Sequence, residues 1–540
     1  MAVFLSRYKA HLGIASLAFG MASKEGAAVP EPHHDVMTAF AETVSRNPGR
    51  TAVTHNGRSL TYAELDLWVR ATARRLGPDP GVVGVITSRS PATVAALLGT
   101  LAAGGTYCPI DPAYPEPRRR ALAAAGGCRL VITTGRETPV PPGTRPVPLP
   151  GLPEAAHAPG DTSGTTPPAF ATGDPGDPAY VLFTSGSTGE PKPVVTPRGA
   201  IATATGALRD LFGLTPADRV LQFASLNWDT CFEEILPTLT AGATLVFHDH
   251  AHSGSFRRML RMLDTEGVTV LDLPSAFWHE LVRHLAEERA ALPASVRTVV
   301  VGGEAVNPAR LADWCALDTG AIRLVNTYGC TETTLVTHAA DLSGPLAAGR
   351  PAPWGPGERV PIGHPLPHVL QHIGEEGELL VGGPSLALGY GDRPDADAER
   401  FVELDIGSGP ERYFRTGDRV GRRADGMLVH EGRLDHELKV RGVRVDPAEV
   451  EAQIAGHPQV AAVAVTGVTV ADHTTLAAYV VPRSPGGAVT LAEDVLNHLR
   501  DRSPAHLVPG RITVVPELVH TASGKVDRAG SHRRYASTTT

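Results

Sequence analysis

Several things are scarce in this chain, and each scarcity removes a class of function. Five cysteines (Cys108, Cys128, Cys231, Cys315, Cys330) form no Cys-x-x-Cys pair. An odd, unpaired set fits reduced thiols in a cytoplasm better than a disulfide framework, and it leaves no zinc site. No apolar run approaches the roughly 20 residues needed to cross a bilayer, so no membrane partner is expected. Positive charge is not in excess: 49 Lys and Arg face 57 Asp and Glu, for a net charge of −8. That balance argues against a general nucleic-acid surface. No internal repeat is found.

What remains is the composition of a soluble, globular chain, 42% hydrophobic and 20% charged. Its 540 residues are too many for one core and imply two or more domains. Residues 1–33 are set apart. Arg7 and Lys9 precede a mildly apolar stretch from Leu12 to Ala22 that faintly resembles a signal peptide but is broken by glycines and serine. We read this part as a disordered leader, with Met21 as an alternative start.

From His34 onward, helix-period and strand-type segments alternate. Val36, Met37, Phe40 and Val44 fall on one helical face; Thr51–His55 reads as a strand, Asn56-Gly57 as a tight turn and Leu60 to Leu65 as a helix entry. Val82–Ile86 is a fully apolar strand, followed by an apolar helix from Ala92 and strands near Tyr107 and Leu130. Alternation of this kind predicts α/β units on a mostly parallel sheet. Pro139 to Asp177, rich in Pro, Gly and Thr, reads as loop. Further strands are expected at Val220, Ala243, Val268 and Arg297. After Gly374 the texture shifts to short strands and turns, and the last hundred residues alternate helix and strand as a compact α+β unit.

One stretch organises the rest. The strand-like Tyr180-Val-Leu-Phe breaks into Thr184, Ser185, Gly186, Ser187, Thr188 and Gly189, with Lys192 just beyond. Glycines let backbone N–H groups turn toward an anion, and hydroxyls add donors, so the loop suits a polyphosphate. It is not the Walker form Gly-x-x-x-x-Gly-Lys-Ser/Thr.

This loop resembles the phosphate loop of adenylate-forming enzymes: acyl-CoA synthetases, luciferases and the adenylation domains of nonribosomal peptide synthetases. Four more motifs follow in the order of that family: Asn326-Thr-Tyr-Gly-Cys-Thr-Glu332, Tyr413-Phe-Arg-Thr-Gly-Asp418, Gly432 to Gly442, and Thr521-Ala-Ser-Gly-Lys525. The resemblance covers about residues 35–530. It implies a large N-terminal adenylate-forming core over 34–432, made of two α/β subdomains and a small β-rich one, and a small mobile α+β cap over 433–540. It also implies ATP and Mg²⁺ as cofactors, and a carboxylate attacking the α-phosphate before a thiol takes the acyl group.

Roles carried over by the resemblance are as follows. Thr184 to Gly189, with Lys192, would hold the β,γ-phosphates, and Glu332 would help hold Mg²⁺. Gly303, Glu304, Asn326, Tyr328 and Thr331 match positions around the nucleotide. Asp418 would accept the ribose hydroxyls, with Arg433 close by. Lys525 would place its ammonium between the attacking carboxylate and the α-phosphate, and Asp435 resembles the hinge about which the cap turns. Departures are Pro193 and Pro197, where relatives usually have Gly and His, and Glu437, where they have Gln. Proline removes a donor, so a remodelled exit from the phosphate loop is expected.

The substrate class turns on Trp228-Asp229, which resembles the Phe-Asp of amino-acid-activating members, whose aspartate pairs with the substrate ammonium. The other positions aligned with the pocket are Thr230, Glu233, Asp272, Val300, Gly302, Thr327, Leu335 and Val336. Two of them, Glu233 and Asp272, are acidic where relatives for apolar substrates are not, and a buried carboxylate wants a cation. The expectation is a basic diamino acid, lysine or β-lysine first, ornithine or 2,3-diaminopropionate next. No carrier segment follows Lys525, so a free-standing enzyme loading a carrier protein in trans is expected, with an MbtH-like helper as a further partner. The alternatives are an acyl- or aryl-CoA ligase of the same fold and a degenerate nucleotide-binding protein.

Overall fold

The computed structural model describes residues 35–134, 138–152, 170, 173–184, 191–347, 358–407, 409–435, 437–440, 443–470, 473–484, 490–520 and 526–536. The leader and the motif around Lys525 lie outside these residues, as do Ser185, Gly186, Ser187, Thr188 and Gly189.

Local chemistry sets the element boundaries. Helix Val36–Arg46 begins at Asp35, whose carboxylate accepts from the Met37 N–H at 2.9 Å. It buries Val36, Met37 and Phe40, the expected face. Helix Tyr62–Leu76 opens on a capping box: the Thr61 hydroxyl accepts from the Glu64 N–H, and the Glu64 carboxylate accepts from the Thr61 N–H. All five residues of Val82–Ile86 are buried, as expected of a parallel strand covered on both faces. Each valine or isoleucine there contributes about 1.5–3 kcal/mol by leaving water.

Two large sheets form the core. A six-stranded sheet runs Arg145–Pro148, Leu130–Thr133, Val82–Ile86, Thr106–Ile110, Pro178–Thr184 and Lys192–Pro197, parallel except for the last pair. Arg145–Pro148 corrects the reading of 139–177 as loop throughout. Its prolines sit on an edge strand, where a missing N–H costs little, and they hid it from a propensity argument. Pro193 is accommodated in the same way. It lies on the sheet's other edge strand and pairs in register with Phe183 of the neighbouring strand, so the chain is regular strand from Lys192 on.

The second sheet has 14 strands. Its parallel part runs Thr51–His55, Thr244–Phe247, Arg219–Leu221, Val270–Pro274, Thr298–Gly302 and Arg323–Gly329. Beyond Arg323–Gly329 it turns antiparallel through Val336–Ser343, Pro361–Pro365, Leu428–Arg433, Pro410–Arg422 and Glu378–Gly382. This antiparallel end is the β-rich region anticipated after Gly374, and it begins earlier, at Val336. The strand order reverses between Arg219–Leu221 and Val270–Pro274, and ligands in open α/β sheets favour the carboxyl ends of the strands at such a switch point.

The C-terminal unit has its own core, which includes Val445, Val450, Ile454, Val465, Ala478, Val495 and Leu499. It packs helices Pro447–Ala455 and Leu491–Arg500 on a three-stranded sheet, Val460–Val470, His473–Pro482 and Arg511–Val514. A separate hairpin, Leu438–Val440 with Val443–Val445, packs onto it and places Val440 and Val445 in its core. The unit rests on the large core through Arg118–Glu449 at 3.0 Å and through His506, edge-on to Trp228 at 5.4 Å between ring centroids.

Candidate active site

Three neighbouring parallel strands align the expected pocket residues. Asp272 is in register with Val300, Val300 with Val325, and Pro274 with Gly302. A Cβ on Gly302 would stand 2.6 Å from the Thr327 hydroxyl, so glycine keeps the space between the two strands open. Val300, Thr327, Leu335 and Val336 are buried, whereas Thr230 is exposed. Thr334 and Leu335 both adopt left-handed backbone, φ 57° and 67°, which is strained for residues with side chains.

Asp229 starts helix Thr230–Ala241 and accepts from the Thr230 N–H at 3.0 Å, so the capping role is real. A hydrogen bond from Thr331 joins it to the Asn326–Glu332 motif. Burial raises the Asp229 carboxyl despite that bond, and the Glu332 charge raises it further. One turn along, Glu233 is buried, and its carboxyl is pushed well up by burial and by the charges of Asp272, Asp229 and Glu234. Asp272, hydrogen-bonded to Glu233, is raised by burial to about 7, and its Oδ2 has no hydrogen-bond partner. Glu234 differs: it accepts from the Phe223 and Ala224 N–H groups, both at 2.9 Å, and from Gln222 at 3.0 Å, which makes it a structural acid.

Toward the antiparallel end of the sheet, the acids are matched. Asp418 accepts from the Tyr328 hydroxyl at 2.6 Å, Arg433 at 2.9 Å and His430 at 3.1 Å. Burial alone would raise it, but the His430 bond and the charges of Arg433 and Lys439 hold it well below the usual carboxylate range. The Lys439 ammonium lies 5.7 Å over the Tyr328 ring. Glu332, 1% exposed, accepts from the Tyr390 hydroxyl at 2.7 Å and from Arg444 at 3.2 Å on each oxygen. Lys192 lies 5.8 Å over the Tyr390 ring, which ties the exit of the phosphate loop to this acid. Asp435 accepts from Arg433 at 2.6 Å and from Arg400 at 3.1 Å. Gly303 has φ +83°, and the Glu304 carbonyl accepts from Ser275 at 2.9 Å.

The sequence match agrees with this arrangement. Residues 40–391 match the AMP-binding enzyme family and residues 449–525 the AMP-binding enzyme C-terminal domain. The chain belongs to the AMP-binding enzymes. It is an adenylate-forming unit of the kind found in nonribosomal peptide synthetases. It is 41% identical over 511 residues to isonitrile lipopeptide synthase of Streptomyces coeruleorubidus, covering 93% of this chain and 34% of that protein. Tyrocidine synthase 3 of Brevibacillus parabrevis is 31% identical over 509 residues, covering 91% of this chain and 7% of that protein. The chain thus spans about a third or less of these relatives. Among solved structures, an artificially fused adenylation–PCP di-domain NRPS from Klebsiella oxytoca superposes with a TM-score of 0.76 at 26% identity, covering 90% of this chain and 94% of that one. A malonyl-CoA ligase complex has a TM-score of 0.72 at 27% identity, covering 87% and 97%.

The residues of this AMP-binding enzyme fit a nucleotide and a hard cation. Asn326 donates to the Pro361 carbonyl at 2.7 Å, while its buried Oδ1 has no hydrogen-bond partner, an acceptor waiting for a donor such as an amino group of a base. Glu332 already faces a cation, the Arg444 guanidinium. Among the described residues no group of three or more His, Cys, Asp or Glu could hold a metal unaided. A Mg²⁺ ion there would take its other ligands from phosphate and water, as Mg²⁺ commonly does. Sequence reasoning missed Tyr390, His430, Arg400 and Arg444. None lies within an anion-binding pattern, and the Arg444–Glu332 contact joins residues 112 apart.

Proposed function

We propose that this enzyme activates a basic diamino acid, lysine or β-lysine first and ornithine or 2,3-diaminopropionate next, as its aminoacyl adenylate. ATP and Mg²⁺ are the cofactors, and the phosphopantetheine thiol of a carrier protein is the acceptor. One observation carries the substrate class. Buried Glu233 is pushed up by burial and by the charges of half-buried Asp272 and Asp229, Asp272 is itself raised by burial, and the Asp272 Oδ2 has no hydrogen-bond partner. Such a cluster is costly while empty. Two ammonium groups relieve it: Asp229 answers one amine, and the Glu233–Asp272 pair answers the other. Arginine suits it less, because a guanidinium needs a bidentate partner in a fixed plane.

On this reading Thr184 to Gly189 and Lys192 hold the phosphates, and Gly303, Glu304, Asn326, Tyr328 and Thr331 surround the nucleotide. Asp418 takes the ribose, with Arg433 steering it, and Glu332 takes the metal. Lys525 stabilises charge developing at the α-phosphate, and Asp435 is the hinge. Amino-acid-dependent ATP–pyrophosphate exchange across a panel including diamino and β-amino acids tests it. Lysine-like acids are expected to lead; a preference for neutral or acidic side chains would overturn the pocket reading. A carboxylate-and-CoA screen separates the alternative, an acyl-CoA ligase, which the fold shared with CoA ligases keeps open.

A further inference from the structure

The Glu332 carboxylate is buried, and both its oxygens accept from Arg444 at 3.2 Å. Arg444 belongs to the hairpin of the C-terminal unit, Glu332 to the large core. Glu437, the residue that departs from the Gln of relatives, accepts from the Nε of Arg444 and from Arg433 Nη2, the latter at 2.7 Å. Arg433 also binds Asp418 at 2.9 Å. A chain of alternating charge, Glu332, Arg444, Glu437, Arg433 and Asp418, therefore fastens the hairpin to the large core at the two acids of the nucleotide side. The side chains of Arg444 and Glu437 are 16% and 6% exposed, so these contacts are largely shielded from water and salt.

We propose that Arg444 is a positioning residue that competes with the metal ion for Glu332, so that the docked hairpin and the bound metal exclude each other. The proposal rests on reading Glu332 as a metal ligand. A guanidinium and a divalent cation cannot share one buried carboxylate, because their repulsion rises as water is excluded. Metal binding then requires the hairpin to leave, and departure of the metal lets it return. By linkage, whatever weakens the Arg444 contact tightens metal binding by the same factor. Glu437 sets the strength of the contact, since a carboxylate holds Arg444 in place more firmly than an amide would.

The test measures Mn²⁺ binding by electron paramagnetic resonance in the full chain with α,β-methylene-ATP present, together with hydrogen exchange of the hairpin amides. Arg444→Gln is expected to tighten Mn²⁺ on the order of fivefold or more, Glu437→Gln to tighten it less, and Arg444→Lys to restore part of the competition. In the unaltered protein, Mn²⁺ with the nucleotide analogue should speed exchange at Leu438–Val445 beyond what the analogue does alone. Glu332→Gln separates the two layers of the argument. Loss of Mn²⁺ affinity there with no change in the Arg444 and Glu437 variants overturns the competition and leaves the metal reading standing. Undiminished Mn²⁺ affinity in Glu332→Gln overturns both.

Discussion

Asp418 and Glu332, at the antiparallel end of the long sheet, lie against hydroxyls and guanidinium groups. Asp229, Glu233 and Asp272, near the ends of its parallel strands, face no guanidinium or ammonium among their main described neighbours, and the Asp272 and Asp229 charges raise Glu233. Both sets are withdrawn from water, yet Asp418 is held low and Glu233 and Asp272 are driven up. Burial is common to the two and so explains neither difference; the neighbours decide. The first set is complete in the protein alone and must exchange partners to bind a nucleotide. On the proposed reading the second is completed by the substrate's ammonium groups, and its incompleteness would be the source of selectivity.

The largest effect that would break this contrast lies in the pocket. Glu233→Gln and Asp272→Asn should each weaken a lysine-like substrate by roughly 2–5 kcal/mol, as for breaking a buried charge pair. The ratio of kcat/KM for lysine and for a neutral amino acid of similar length, taken from pyrophosphate exchange, reads this directly. Neutral substrates should gain in both variants, and an unchanged ratio would place the second amine elsewhere.

In the proposed mechanism Lys525 is the cation that the adenylation step calls for. Lys525→Ala should slow adenylate formation on the order of 10²-fold or more, while transfer from preformed adenylate to a thiol suffers much less. Single-turnover measurements of the two half-reactions decide it, and an unimpaired first step removes Lys525 from the catalytic list.

Asp435 tests whether the saturated side is also the moving side. Its carboxylate is gripped by Arg433 and Arg400, and the Glu437 N–H donates to it at 3.1 Å. Hinges concentrate their backbone change in a few such residues. Asp435→Pro should spare one half-reaction and cripple the other; equal loss of both argues against a hinge at this position.

The two sides also differ in how far the sequence disclosed them. The apolar run Val82–Ile86 and the helical face of Val36, Met37 and Phe40 were legible because period, cap and burial agree locally. Asp272 was legible as the single charge in an apolar strand. Strand Arg145–Pro148 was not, since its prolines contradict its state and its pairing with Leu130–Thr133 is what sustains it. Nor was the Arg444–Glu332 pair, because nothing near either residue names the other. Complementary charge far apart in sequence becomes visible when the fold brings it together, whereas uncompensated charge shows in its immediate surroundings.

The smallest expected effect follows from protons in the pocket. Burial raises Asp272 to about 7 from an ordinary value of 3.8, with Glu233 sharing the site. In the substrate-free protein the pair therefore holds a proton that it must give up to receive an ammonium. Below about pH 7 the uptake of that proton competes with a basic substrate; above it the competition fades. For one proton of that pKa, apparent affinity for lysine should fall about tenfold between pH 8 and pH 6, the substrate ammonium being charged throughout. The same raised pKa means that the folded state binds more protons than the unfolded one between about pH 4 and 7. The pair's contribution to stability is then fully present below that range and is lost as pH rises through 7. A bound diamino acid should accordingly raise the melting temperature more at pH 8 than at pH 6. Calorimetric titration with lysine in buffers of different ionisation enthalpy would show the released proton, and Asp272→Asn should flatten both pH profiles. A wild-type affinity for lysine that is level from pH 6 to 8 would mean that the pair is already ionised and already partnered.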